Sequence, residues 1–239
     1  MHSEIKCVDL TQMNLVKLDA NNFPSLFFGV RDILITQPNK LFQPGGESKA
    51  FIYLNTFLSD RCINYSRHIS KPLLSRKSCS RLSPYLAWGN ISIRFVYQSA
   101  LNTMSQSSNS RPLQNFISRL HWHCHFIQKF EDECRMEFEP VNRGMLQKIK
   151  PLRGDWIEAW KNGRTGYPLV DANMRCLAAT GYINFRMRAM LVSFLVFDLW
   201  QDWRVGAHHL ARYFLDYDPG IHYPQLQMQA GVTGVNTIR

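Results

Sequence analysis

Apolar residues recur every three or four positions from about Glu47 onwards, which is the spacing of one face of an α-helix. The first such stripe ends before Pro72, because proline cannot continue a helix. Its members are Leu54, Phe57, Leu58, Cys62 and Tyr65. The pattern therefore predicts a helical fold for most of the chain.

Four later segments also predict helices: residues 113–134, 155–161, 186–203 and 207–215. The stretch from His222 onwards is weakly patterned, and no element is predicted there. The chain stops at Arg239 without a helix-stop signal, so we expect it to be truncated at this end.

The first 45 residues differ from the rest. Two short apolar runs, 26–30 and 33–35, precede a proline- and glycine-rich loop, which is typical of short strands or an extended linker. We therefore expect residues 1–45 to be the tail end of another unit plus a linker. Residues 46–239 would form the helical domain.

Two glycine-containing turns, at 163–166 and 180–182, each precede a predicted helix. Asp171 stands where a helix N-cap would stand, and Arg186 and Arg188 follow the second turn. This arrangement suits an anionic ligand held between helices. A helical hairpin with a solvated basic edge is the alternative.

A second candidate anion site lies at residues 80–84. Ser83 suits the N-cap of a helix whose first residue is Pro84. The hydroxyl of Ser80 and the side chain of Arg81 would then lie near the free amides of that helix start.

The net charge is +10, which favours a polyanionic partner such as nucleic acid and is equally compatible with a role in solubility. The six cysteines are scattered without a CxxC pair, and the N-terminus has no apolar signal-peptide region. We therefore expect reduced thiols and a cytoplasmic location. The longest apolar run, 189–199, is too short for a bilayer, which takes about 20 residues.

Other site chemistries have weaker support. His121 and His125 share a helix face but lack a third metal ligand, so surface or pocket histidines are favoured. The chain has no GxSxG, GxGxxG or Walker A motif. Asp216 and Asp218 suit either acid–base work or a turn ahead of Pro219.

Four stretches, at 80–86, 163–175, 202–204 and 216–219, together resemble the photolyase/cryptochrome family, and the match extends from about Gln43 to Thr233. The resemblance implies an all-α fold, the multi-helix FAD-binding domain of that family, with a short non-helical N-terminal remnant. The resemblance further implies that residues 1–45 are the remnant of the family's N-terminal α/β domain plus a linker. It also implies a U-shaped FAD held between the helices.

The resemblance assigns roles to individual residues. Arg188 and Asp216 match a pair beside the isoalloxazine ring, and Asp218 matches an acidic position near the ribose and the ring. His222 lies near the position that faces flavin N5, and Trp203 matches the middle tryptophan of a photoreduction relay. The remaining cofactor-binding matches, some at the FAD phosphates and some lining the cavity, are Tyr65, Cys79, Ser80, Arg81, Leu82, Ser83, Trp122, His125 and Phe185.

The chain departs from the family pattern at several of these places. The outer relay positions fall near Lys150 and Leu226 instead of tryptophans. Where photolyases have a Glu and an Asn in the lesion pocket, this chain has His125 and Phe185. Gln128 and Met228 replace aromatic walls.

Three hypotheses therefore stay open. The chain is a light-driven enzyme that repairs pyrimidine dimers in ultraviolet-damaged DNA, a cryptochrome-like FAD sensor with a protein partner, or a relative that no longer holds FAD well. The basic charge favours the first hypothesis, and the altered pocket favours the other two.

Overall fold

The computed structural model describes residues 40–107, 109–146 and 150–234, and these contain helices and turns but no β-strand. This confirms the all-α prediction. The apolar runs predicted within residues 1–39 lie outside the described residues. The α-helices are α1 (Glu47–Ser59), α2 (Tyr65–His68), α3 (Ser75–Ser78), α4 (Ser83–Ala87), α5 (Ile93–Ser105), α6 (Arg111–Asp132), α7 (Gly154–Lys161), α8 (Pro168–Thr180), α9 (Phe185–Ser193), α10 (Trp203–Tyr213) and α11 (Pro219–Ala230).

Two apolar cores hold these helices together. The first contains Phe57, Tyr65 and Phe116, whose rings contact one another between α1, α2 and α6. The second forms around Trp160 and Leu195, between α7 and α10. The long helix α6 packs along α11 and so connects the two cores. None of the described helices is both long and apolar enough to span a membrane.

The segment predicted as one helix, 186–203, is divided. Helix α9 ends at Ser193, a π-helical turn follows at Phe194–Asp198, and α10 begins only at Trp203. The ammonium group of Lys150 binds the carbonyl oxygens of Val196 and Gln201 where the turn ends. Apolar periodicity cannot reveal this contact, because the lysine lies far upstream in the sequence.

Helix α10 also begins four residues earlier than predicted, because the Asp202 side chain caps it by accepting the Arg204 N–H at 2.8 Å. The weakly patterned C-terminal stretch contains α11, which Asp218 caps and Gly231 ends in a left-handed conformation. This helix lacks an amphipathic pattern because it is buried on more than one side.

Two predicted N-caps were wrong. The N-cap position of α4 is Leu82, so Ser83 is already the first helical residue. Helix α8 begins at Pro168, and Asp171 lies within its first turn. The Asp171 carboxylate accepts the backbone N–H groups of Thr165 and Gly166 at 2.8 and 3.0 Å. The first glycine turn is therefore bound to a carboxylate of the chain itself rather than open to a ligand.

We expect Gly181→Ala to destabilise the protein more than Gly89→Ala. Both glycines have a positive φ, 66° and 68°, so each alanine adopts a left-handed conformation that costs about 1–2 kcal/mol. Only at Gly181 would the new Cβ also clash, against Cγ of Leu215, which adds about 1–3 kcal/mol. Urea unfolding measures both free energies. Equal losses of unfolding free energy in Gly181→Ala and Gly89→Ala would contradict a clash with Leu215.

Candidate functional site

An open cleft lies between α9, the residue Leu210 of α10, the segment 214–218 and one face of α11. Helix α9 contributes residues at helical spacing from Phe185 to Val192, and α10 contributes Leu210. The other side combines charged and polar groups from 216–229 with apolar side chains. The predicted site residues on its wall are Phe185, Arg188, Asp216, Asp218 and His222.

Arg188 and Asp216 form a largely buried ion pair on this wall. One guanidinium nitrogen lies 2.9 and 2.8 Å from the two carboxylate oxygens of Asp216. The Nε of Arg188 donates to the carbonyl oxygen of Ile183 at 3.0 Å, and the guanidinium lies 4.0 Å from the ring centre of Phe214. These contacts fix the cation at one orientation beside the cleft.

His222 is held as a neutral imidazole. Its Nε2 lies 3.0 Å from the carbonyl oxygen of Ala207, and a carbonyl only accepts, so Nε2 carries the proton. Nδ1 is then the acceptor nitrogen of the ring. Burial lowers the pKa of His222 to about 4, because the charged form loses its hydration.

The cleft also contains residues that the sequence analysis missed. Gln225 and Gln229 bring two amide side chains to the wall, and Ile221 adds an apolar surface. A signal for them existed, since Asp218, Ile221, His222, Gln225 and Gln229 follow one another at helical spacing. It was missed because no helix was predicted over this stretch.

A second group of cations surrounds the buried ring of Tyr182. The guanidinium carbons of Arg81, Arg188 and Arg76 lie 3.9, 5.6 and 6.0 Å from its centre. Burial lowers the pKa of Arg81, and its Nε is a buried donor without a hydrogen-bond partner in the described part of the chain. An anionic group beside Arg81 would satisfy this donor and offset the buried charge.

The structure therefore fits the predicted cofactor at both ends. The Nε of Arg81, which has no hydrogen-bond partner among the described residues, suits a diphosphate. The adjoining loop carries Cys79, Ser80 and Ser83, all half-buried. Burial raises the pKa of the Cys79 thiol to about 11, so this thiol is neutral at ordinary pH. The cleft, with its fixed Arg188–Asp216 pair, suits a flat ring that can carry negative charge.

The other predicted site residues lie away from the cleft wall. Tyr65 and Leu82 are buried in the first core, and burial raises the pKa of the Tyr65 phenol. Trp203 is buried in the second core. Trp122 and His125 lie on an exposed face of α6, where their ring centres are 5.6 Å apart. His121 is also exposed, and no group of three or more potential metal ligands occurs among the residues described.

We expect Asp216→Asn to destabilise the protein by about 2–4 kcal/mol, because it leaves the largely buried charge of Arg188 without its anion. Glu133→Gln is the matched control, since it removes the carboxylate of an exposed pair with Arg135, worth less than about 1 kcal/mol. Urea unfolding of the ligand-free protein compares them. A loss no greater than that of the control would contradict a structural role for the pair.

We also expect His222 to make the stability depend on pH. The unfolded chain protonates this ring near pH 6.5, whereas the folded protein does so only near pH 4. The neutral ring of His222 therefore contributes in full to the free energy of unfolding above pH 6.5. This contribution, up to about 3 kcal/mol, is lost as the pH falls towards 4. The free energy of unfolding of His222→Asn should fall less steeply over this range. His125→Asn, at an exposed site, should retain the wild-type slope, and equal slopes in all three proteins would contradict the assignment.

Comparison with known proteins identifies the family of the chain. The family model for the FAD binding domain of DNA photolyase matches residues 116–239. A deoxyribodipyrimidine photo-lyase from Alkalihalophilus pseudofirmus is 32% identical over 193 residues, which are 78% of this chain and 38% of the relative. A cryptochrome DASH from Synechocystis is 32% identical over 218 residues, 88% of this chain and 42% of the relative.

Solved structures give the same result. A class III photolyase from Agrobacterium tumefaciens superposes with a TM-score of 0.74 at 28% identity, over 81% of this chain and 39% of the other. A Sulfolobus tokodaii photolyase with two FAD molecules gives 0.71 at 29%, over 90% and 46%. The chain thus spans about two fifths of the length of the curated relatives it matches. It belongs to the DNA photolyase/cryptochrome family and carries the FAD-binding domain of that family, as the sequence resemblance predicted.

Proposed function

We propose that the chain binds FAD between the 79–83 loop and the cleft, and uses it for light-driven repair of pyrimidine dimers in DNA. The main support for the cofactor site is the Arg188–Asp216 pair on the cleft wall. The Nε of Arg81, which has no hydrogen-bond partner in the described part of the chain, suits the diphosphate. Reduced FAD would supply an electron to the dimer under light and receive it back. The free thiols of the described cysteines suit a cytoplasmic location.

The residues of the chain would prepare this site. Arg81, with the Ser80 and Ser83 hydroxyls, would hold the diphosphate. Arg188 would place a positive charge beside the ring, and Asp216 would keep that arginine in position. His222 would present its unprotonated Nδ1 as an acceptor, because its single N–H is at Nε2 and donates to the carbonyl oxygen of Ala207.

The charge distribution supports a nucleic-acid partner. The 70 residues from Arg61 to Phe130 contain ten Lys or Arg and no Asp or Glu, while the rest of the chain has equal numbers of each sign. The whole net charge of +10 therefore comes from this segment. Its exposed cations include Arg67, Lys71, Lys77 and Arg119. Such an acid-free surface suits a phosphate backbone.

A second function has specific support. Phe185 occupies the cleft wall, and His125 lies on an exposed face of α6, where photolyases would have Asn and Glu. These differences favour a cryptochrome-like sensor that binds FAD and a protein partner without repairing DNA.

The first test is the absorption spectrum of the purified protein, with release and identification of the chromophore. We expect one FAD per chain, and a weaker retention of FAD in Asp216→Asn than in Glu133→Gln.

The loaded protein is then mixed with a thymine-dimer oligonucleotide and illuminated with blue light at low salt. Restoration of the thymines supports repair, whereas FAD binding without restoration favours the sensor. A protein that contains no FAD and does not take up added FAD would overturn both functions.

A further inference from the structure

The loop at 79–83 has an unusual set of backbone contacts. The guanidinium of Arg61 donates to the carbonyl oxygens of both Cys79 and Ser80, the second at 3.4 Å. The next carbonyl, of Arg81, accepts a hydrogen bond from the Gln43 side chain at 2.8 Å. Three successive carbonyl groups of this loop are therefore bound to side chains from outside it.

These contacts determine where the N–H groups of the loop point. In a trans peptide the N–H points away from the preceding C=O, so the N–H groups of Ser80 and Arg81 are directed away from Arg61. Neither N–H has a hydrogen-bond partner within the described ranges. Arg81 is left-handed with φ 59°, and Leu82 follows in the right-handed region. The Leu82 N–H donates to Ser80 Oγ at 3.4 Å, so the amides without a partner in the described ranges are those of Ser80 and Arg81. Adjacent free N–H groups at a left-handed residue are of the kind that binds anions.

We propose that Arg61 is a positioning residue that sets the 79–83 loop for the diphosphate of FAD. Arg61 would not contact the cofactor; it would act by holding two carbonyls on the far side of the loop. The proposal rests on the function proposed above and adds a residue outside the motifs of the family resemblance.

The surroundings of Arg61 require an arginine. Besides the two loop carbonyls, its Nη2 donates to the carbonyl oxygen of Tyr53 at 2.6 Å and lies 3.2 Å from Thr56 Oγ1. The guanidinium also lies 5.7 Å from the ring centres of both Tyr53 and Phe57. It therefore connects the loop to the end of α1. A lysine carries the same charge but lacks the planar fork that reaches these acceptors together.

The test compares ligands that contain different parts of FAD. Dissociation constants for FAD, ADP and riboflavin are measured by titration for wild type, Arg61→Ala and Arg61→Lys. ADP contains the diphosphate, and riboflavin contains only the ring and its side chain. We expect both variants to bind FAD and ADP about tenfold more weakly or worse, since a lost charge-assisted contact corresponds to about that factor. Riboflavin binding should change less than about twofold.

Arg67→Ala is the control, because it removes an equal charge from an exposed position in the same basic segment. It should leave the binding of all three ligands close to wild type. Arg61→Lys keeps the charge, so it also provides the test if Arg61→Ala does not fold. Equal losses of FAD and riboflavin, or full rescue of FAD binding by lysine, would overturn the role of Arg61 and leave the FAD site standing. A wild-type protein that binds no FAD would overturn both proposals.

Discussion

Buried positive charge is the constraint on which this site depends. Arg76, Arg81 and Arg188 surround the ring of Tyr182, and only Arg188 has an ion-pair partner in the described part of the chain. A guanidinium held away from water needs hydrogen-bond acceptors or an anion to offset the lost hydration. Asp216 supplies that anion at the cleft. At Arg81, a dianionic diphosphate would do so, which ties cofactor binding to the stability of the fold.

The same arginines connect the two cores of the molecule. Arg76 extends from α3 to the carbonyl oxygen of Tyr182 at 3.1 Å, next to the second glycine turn. The turn at 180–182 also fixes the backbone just before Asp216, because the carbonyl oxygen of Gly181 accepts the Leu215 N–H at 3.0 Å. Trp88, which follows α4, donates to the carbonyl oxygen of Leu215 at 2.8 Å. The 79–83 loop and the cleft are thus joined by short connections as well as by the packing of α6 on α11.

The sequence predicted the helical class because apolar residues at spacings of three and four are a local property. It also predicted Arg188, Asp216, Asp218, His222 and Phe185, all of which line the cleft. Local pattern singled out Arg188, Asp216 and Asp218, but only the family resemblance grouped all five in one site, since no local rule relates residues 28 positions apart. The prediction missed the Lys150 contact at the π-turn, because the lysine and its acceptor at Val196 are 46 residues apart. Apolar periodicity also does not show that Asp171 binds the turn five and six residues before it. The helix with Gln225 and Gln229 has residues at helical spacing, but its apolar pattern is weak because the helix is buried on more than one side.

The arginines of this site differ in the groups that they contact. The difference separates arginines that hold parts of the chain together from arginines that would face a ligand. Arg61 is bound by backbone carbonyls and a hydroxyl, so its donors are already engaged by the chain. Arg188 is bound by a carboxylate, which fixes it beside the cleft while one side remains against the cavity. Arg81 retains a buried donor that has no hydrogen-bond partner within residues 40–107, 109–146 and 150–234, in a left-handed backbone conformation that costs energy to maintain. An anionic ligand that accepts this hydrogen bond would stabilise the protein most at this strained residue. The two carbonyl groups that Arg61 binds belong to the two peptide bonds directly before Arg81.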